Sequence, residues 1–486
     1  MVTNGHTLVE VLTGIQPEEE RVNIRTSTQA TGTAIRQVTI DSRLVEPGAL
    51  YVALAGMTVD GHDYVAAAAA AGAVAAIVSA DKAPDLAHVH GWSIVTMGAQ
   101  PPADWQGVLL IAVPDPLLAL HRWATWHRAR YTTPYVVGIT GSVGKTSTKE
   151  LVGAILSDAM PTLKTPRSYN SESTLPLVTL SLTSAHAAAV FEMGMYYPGD
   201  IATLCTIVRP NIAVVTAVGP SHLERMGSIE AIADAKAELV VAIPPDGVVI
   251  LNADDPIVAG FAGRTSARVM TYGITVAADV RAVDVVQRGL EGTDVRIVAP
   301  GIDDTVHVSA PGLHQVRNLL AAIAVGIVAG VPWATMRETI AHRLSVLRFL
   351  IYPGMNETQL IDDSYNAAPT SVRAALELLA TVDRRRVAVL GDMRELGHIE
   401  VQAHHDVGVQ AAQTADVLVA VGERGHWIAA GAREAGMTAV YEVDSTAGAI
   451  PVVMQLIVPQ DCILIKGSRA MAMEAIVAAL RVQTTE

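Results

Sequence analysis

Residues 138–147 read Gly-Ile-Thr-Gly-Ser-Val-Gly-Lys-Thr-Ser, after the apolar run Tyr135-Val136-Val137 and before the helix-like Thr148-Lys149-Glu150-Leu151-Val152. A strand, a glycine-rich turn, a Lys-Thr pair and a helix are the layout of a nucleoside triphosphate site. Glycine lets backbone N–H groups close around phosphate oxygens, and the new helix presents its positive end to them. On this reading Thr140, Gly141, Ser142, Val143 and Gly144 form the cradle and Ser147 follows in the first helical turn. Lys145 is placed to reach the β- and γ-phosphates, and the Thr146 hydroxyl to ligate Mg²⁺. Gly138 stands one residue too early for the general spacing of such loops. The ATP reading therefore leans on the flanking strand and helix.

Other residues could join this chemistry. Glu192 ends the apolar run Ala187-Ala-Ala-Val-Phe, and an acid at the mouth of a sheet suits Mg²⁺, although a strand-end surface charge is the plainer alternative. His222 follows the strand expected at 211–218 and the turn Gly219-Pro220-Ser221. Three sheet ends would thus meet, bearing Lys145/Thr146, Glu192 and His222. Lys236, in the helical pattern of residues 229–238, reads by itself as a solvated surface lysine. Asn252, ahead of Asp254-Asp255, suits either an adenine edge or an ordinary Asx turn. His314 and Asn318 are four apart and share one helix face. Asp362 and Asp363 end a strand, and Thr370 or Ser371 is placed to cap the next helix.

These groups need sheets to hold them, and the pattern supplies them. A chain of 486 residues exceeds one core and suggests about three domains. Residues 1–130 show short strands and an Ala-rich helix from Val65 that runs into a strand near 75–78; Trp123 and Trp126 lie on a helix at 116–130. Residues 131–345 alternate strands (135–140, 187–193, 211–218, 247–252, 268–273) with helices, which predicts a mainly parallel, helix-covered sheet. An antiparallel appendage is expected between 275 and 310, and a helix at about 315–329. Residues 346–486 alternate again, with strands at 359–363, 386–391, 416–421, 439–443 and 462–466 and helices at 370–381, 400–414, 445–457 and 469–481. That is a doubly wound, Rossmann-like domain without the dinucleotide fingerprint. The fold class is α/β throughout.

The net charge of −14 argues against a nucleic-acid-binding surface. The most apolar run, Val65 to Ala80, is too short for a membrane span, and the first residues lack the basic and apolar parts of a signal peptide. Cys205 and Cys462, both read as lying in strand-like apolar runs, suggest two buried thiols in a reducing cytoplasm.

Taken in order, the motifs resemble the Mur ligase family of bacterial cell-wall synthesis over nearly the whole chain. The likeness is carried by Asp41-Ser42-Arg43, Pro47-Gly48, Asp60-Gly61-His62, Thr140 to Thr146, Glu192-Met-Gly194, Gly219-Pro-Ser-His222-Leu-Glu, Ala235-Lys236, Leu251-Asn-Ala-Asp-Asp255, Asp362-Asp-Ser-Tyr-Asn366, Gly391-Asp-Met, Glu395-Leu-Gly397 and Lys466-Gly-Ser-Arg469. The Asp-Asp-Ser-Tyr-Asn and Gly-Asp-Met segments favour the member that adds D-alanyl-D-alanine to UDP-N-acetylmuramoyl-tripeptide, through an acyl phosphate, over its sister ligases. The resemblance implies that Ser42, Arg43 and Asn170 serve the UDP-linked substrate and that the third domain receives the dipeptide. It implies nucleotide contacts for Asn252, His314, Asn318, Arg348 and Asp363. A second metal would lie on Glu192, His222 and a carbamylated Lys236. A cytoplasmic monomer is implied. Where the family has two adjacent Asn and a Gly before Pro, this chain has Asn170-Ser171 and Thr174. The alternatives are a divergent Mur-like ligase for another amino acid or dipeptide, and a nucleotide-binding scaffold without catalysis.

Overall fold

The computed structural model describes residues 5–21, 32–56, 59–343 and 350–482. The chain forms two compact units: residues 1–136, 161–193 and 202–210 in one, and 137–160, 194–201 and 211–486 in the other.

The first unit carries five parallel strands in the order Gln37–Thr39, Ala49–Val52, Ala75–Ser79, Leu109–Val113 and Ser93–Thr96. Ala49–Val52 and Leu109–Val113 are buried along their whole length, as expected of parallel strands covered on both faces. The Ala-rich segment forms the helix Val65–Ala70 and then the strand Ala75–Ser79. Separately, Ala188–Glu192 pairs in parallel with Thr162–Lys164. Glu192 is thereby fixed at a strand's carboxyl end.

In the second unit the strands run Ile302–Val308, Thr293–Ala299, Val280–Gln287, Arg268–Gly273, Val248–Asn252, Ile212–Val215 and Tyr135–Thr140. Pairing is parallel from Tyr135–Thr140 out to Val280–Gln287 and antiparallel beyond. The expected appendage is therefore a continuation of the same sheet. A further sheet runs Leu350–Pro353, Gln359–Asp363, Cys462–Lys466, Arg386–Gly391, Val417–Val421 and Val440–Val443. All its pairs are parallel except the first. Cys462–Lys466 lies between Gln359–Asp363 and Arg386–Gly391, so the chain order switches there and opens a crevice at the strands' carboxyl ends.

Three local expectations are corrected. Cys205 lies on the helix Asp200–Val208, not on a strand. Ile201, Leu204, Cys205 and Val208 recur at helical spacing and are all buried, a period that the apolar run masked. The strand expected at 211–218 ends at Val215, because the chain from Thr216 onward turns to bind the phosphate loop. The helix expected at 469–481 is a short 3₁₀ turn, Arg469–Met471, followed by Glu474–Leu480; Ala472 between them is left-handed at φ 51°. Both cysteines are buried free thiols. No helix among the described residues is long and apolar enough to cross a membrane.

Candidate active site

Tyr135–Thr140 delivers the phosphate loop, and the helix Lys145–Ala159 leaves it. Gly141 (φ 149°) and Gly144 (φ 84°) hold conformations that side chains rarely adopt. Neither has room for a side chain: a Cβ would lie 1.9 Å from Thr216 Oγ1 at Gly141 and 2.6 Å from Asn318 Oδ1 at Gly144.

The loop is bound along its length. The Thr216 hydroxyl donates to Val143 O at 2.6 Å, and the Ser142 N–H to Ala217 O at 2.7 Å. Ser142 Oγ donates to Gly219 O, accepts from Gly219 N–H, both at 2.9 Å, and accepts from the Ser221 hydroxyl at 3.0 Å. Lys145 folds back over the loop, its Nζ donating to Gly141 O. Thr146 and Ser147 lie in the first helical turn. Thr148 Oγ1 donates to Asn318 Oδ1, and Asn318 Nδ2 to Gln315 Oε1, so Asn318 braces the cradle from the helix Leu313–Val328. The preformed ring of backbone groups can hold a triphosphate, with Lys145 over it.

Lys236 corrects the surface reading. It is 2% exposed on the helix Ile229–Val241, capped by Ser228. No hydrogen bond or ion pair reaches its amine among the described residues. Burial, then the nearby charge of Lys145, push its pKa far below the usual lysine range. Its period was legible: Ile232, Lys236 and Val240 form one stripe at i, i+4, i+8.

His222 sits in the left-handed region (φ 58°) at the start of the short helix Leu223–Met226. Its Nδ1 lies 2.5 Å from Glu395 Oε2. Burial lowers its pKa, Glu395 opposes, and Lys145 and Lys236 lower it further. Nε2 is the nitrogen with no hydrogen-bond partner among the described residues, which suits a metal ligand.

In the first unit, Asn170 Nδ2 donates to Glu192 Oε1 at 2.8 Å, and Glu192 is 1% exposed. The departures from the family pattern support one another: Ser171 Oγ lies 2.9 Å from Thr174 Oγ1, which also accepts Ser171 N–H. They close the turn that presents Asn170. Ser42 opens a 3₁₀ turn capped by Asp41. Arg43 is exposed and grips Asp41 with two bonds, at 2.9 and 2.7 Å. His62 is structural: Nδ1 donates to Asp60, and Nε2 accepts Ser79 N–H.

Asn252 takes the Asx-turn role. Its Nδ2 donates to Thr216 O and its Oδ1 accepts Asp254 N–H. Burial alone would raise Asp254, but bonds from Ile274, Thr275 and Arg317 outweigh it and hold the carboxyl at about 2. Burial, then Lys466 and Arg317, lower His314 to about 4. Asp363 accepts from Lys466 Nζ at 2.6 Å, and burial raises its pKa against that cation. Arg348 lies outside the described residues. Sequence reading gave no role to Thr216 or Glu395; only the match at Glu395-Leu-Gly397 pointed toward the latter. No group of three or more His, Cys, Asp or Glu side chains among the described residues could hold a metal. Lys236 could ligate a metal only once converted to a carboxylate.

A glycine-closed phosphate loop on a mainly parallel sheet, with a second α/β sheet after it, defines a nucleoside-triphosphate-dependent enzyme of the multidomain α/β class. Residues 34–125 match the Mur ligase family catalytic domain, 139–326 the Mur ligase middle domain, and 347–469 the Mur ligase glutamate ligase domain. The chain belongs to the Mur ligase family. It is 34% identical over 456 residues to the UDP-N-acetylmuramoyl-tripeptide--D-alanyl-D-alanine ligase of Synechocystis, covering 92% of each chain. It is 34% identical over 450 residues to the Escherichia coli enzyme of that name, covering 91% of this chain and 93% of that one. A crystal structure of MurF from Acinetobacter baumannii superposes with a TM-score of 0.82 at 29% identity, over 98% of this chain and 99% of that chain. MurF ligase from Thermotoga maritima in complex with ADP gives 0.75 at 25% identity, over 91% and 96%.

Proposed function

We propose that this chain is the ATP-dependent ligase that joins D-alanyl-D-alanine to UDP-N-acetylmuramoyl-tripeptide. The observation that carries the reading is likeness over 91–92% of the chain, at 33–34% identity, to relatives bearing that name. The preformed phosphate loop supports the use of ATP. The terminal carboxylate of the tripeptide attacks the γ-phosphorus of ATP, and ADP leaves with the bridging oxygen. This converts an inert carboxylate into an acyl phosphate. The dipeptide amine then attacks the acyl carbon, loses a proton, and expels phosphate as the amide forms.

Lys145 stabilises charge on the transferring phosphoryl group, and the loop N–H groups orient it. Thr146 would hold Mg²⁺ with the nucleotide; Glu192, His222 and Lys236 as a carbamate would hold a second ion. Mg²⁺ neutralises phosphate charge in such reactions. The buried, partnerless Lys236 fits this assignment. A neutral amine can capture CO₂ and, after losing a proton, becomes a carboxylate. Ser42, Arg43 and Asn170 are assigned to the UDP-linked substrate, and Asn252, His314, Asn318, Arg348 and Asp363 to the nucleotide side, with Asn252 and Asn318 acting by holding the loop. We place the domain boundaries near residues 130 and 345. The third domain receives the dipeptide, and the enzyme works as a cytoplasmic monomer.

Phosphate release from ATP is measured with the UDP-linked tripeptide, with and without D-alanyl-D-alanine, and products are weighed by mass spectrometry. Release that requires both, with a pentapeptide product, is expected. Turnover with other acceptors only, or none, would overturn the assignment.

A further inference from the structure

His222 and Glu395 come from different parts of the second unit. His222 lies after the central strand Ile212–Val215, and Glu395 lies four residues past the strand Arg386–Gly391 of the following sheet. Both backbones are left-handed without being glycine, φ 58° at His222 and φ 64° at Glu395. Such outliers persist only where surroundings enforce them, and they cluster at functional sites. Here each places its side chain against the other, 2.5 Å apart.

The surrounding contacts form a closed ring. Glu395 Oε1 lies 3.9 Å from an Arg225 Nη, Arg225 stacks 4.8 Å over the Tyr196 ring, and Tyr196 meets the His222 ring edge-on at 5.3 Å. The main chain docks as well: Glu224 N–H donates to Glu395 O at 3.1 Å. Gly397 (φ 55°) approaches so closely that a Cβ would lie 3.2 Å from Glu224 Cα.

We infer that Glu395 is a positioning residue that holds the His222 ring with its proton on Nδ1 and its lone pair on Nε2. A carboxylate behind a ligating histidine fixes its tautomer and orientation and raises its basicity. Because the carboxylate comes from the loop of residues 391–397, docking of that loop on the 222–226 turn completes the metal side of the phosphoryl-transfer site. Acyl activation is thereby tied to placement of the domain that receives the amine. An acyl phosphate formed before that placement would be exposed to water. The inference rests on the proposed ligase reading for its consequence, not for its geometry.

The test uses the full chain carrying Glu395→Ala and Glu395→Gln. In the metal-free protein with ¹⁵N-labelled histidine, the His222 ring, assigned with His222→Gln, is expected as the Nδ1–H tautomer in the parent and as mixed tautomers in Glu395→Ala. With a non-hydrolysable ATP analogue, the weaker Mn²⁺ affinity followed by electron paramagnetic resonance should fall ~10–100-fold in Glu395→Ala, with nucleotide affinity unchanged. In turnover, kcat should fall while KM for ATP holds, and Glu395→Gln, which keeps an acceptor oxygen, should recover part of both. If Glu395→Ala does not fold, Gly397→Ala lifts the loop without touching the carboxylate and should give the same tautomer change. Retention of the Nδ1–H tautomer and of Mn²⁺ affinity within about twofold in the folded variant overturns the inference. If the parent makes no pentapeptide, the ligase reading fails, yet the tautomer and Mn²⁺ comparison still decides the role of Glu395.

Discussion

Replacing Lys236 by Met should stabilise the protein and disable it. Lys236 as a residue is 2% exposed, and its amine finds no hydrogen-bond partner among the described residues. A buried polar group without a hydrogen bond costs about 1–3 kcal/mol, and Met fills similar volume without that group. In CO₂-depleted buffer with chelator, the variant should unfold about 1–3 kcal/mol later, or roughly 2–4 °C per kcal/mol for a unit of this size.

The pH dependence follows from the lowered pKa of Lys236. Between that pKa and the ordinary value near ~10.4, the unfolded chain holds more protons than the folded one, so stability should rise with pH. Lys236→Met should lose that slope. Activity moves the other way. Losing the metal-binding carbamate proposed at Lys236, worth about 4 kcal/mol at a phosphoryl-transfer site, should lower kcat by ~10³-fold. Native mass spectrometry of the parent in bicarbonate should show the added mass of one CO₂, absent from the variant. A Lys236→Met protein with kcat within about tenfold of the parent, or with lower stability, would refute the argument.

The first unit should be acid-labile. His6 and His127 are buried with rings 4.8 Å apart, bonded to Leu180 O and Leu182 O, and burial depresses both, His127 to about 4. Unfolded histidine takes up protons near 6.5, so stability should fall as pH drops from 6.5 toward 4, by about 3 kcal/mol for His127, and urea midpoints across that range check it. Thr216→Val removes the hydroxyl that anchors Val143 O; with about 1.4 kcal/mol lost from loop order, KM for ATP should rise roughly tenfold, and an unchanged KM would count against that brace. Asn170→Ala frees Glu192 from its bond at 2.8 Å. It should lower kcat by ~10-fold and weaken Mn²⁺ binding, checked by steady-state turnover and electron paramagnetic resonance; unchanged kcat and Mn²⁺ affinity would count against that contact.

Much of the fold was legible because parallel strands buried on both faces leave continuous apolar runs. Val248–Asn252, Arg386–Gly391 and Cys462–Lys466 fall within a residue of where those runs place them. The phosphate loop was equally plain, since only glycine tolerates the backbone at positions 141 and 144. Short strands such as Gln37–Thr39 and Ser93–Thr96 carry too few residues for a period to show and depend on their neighbours in the sheet.

The sequence by itself determined the chemistry on offer: a triphosphate cradle, a lysine, acids and a histidine at strand ends, and the order of motifs that marks the family. Only the tertiary structure decided which groups are buried and what they face. Lys236 looks like any helical lysine until packing removes its water. Asn252 is bonded to Thr216 and Asp254, and Asn318 to Thr148 and Gln315, contacts that no local pattern predicts. Glu395 gains its role from a histidine 173 residues away in sequence. Burial and long-range pairing belong to the folded chain as a whole, and local sequence does not encode them residue by residue.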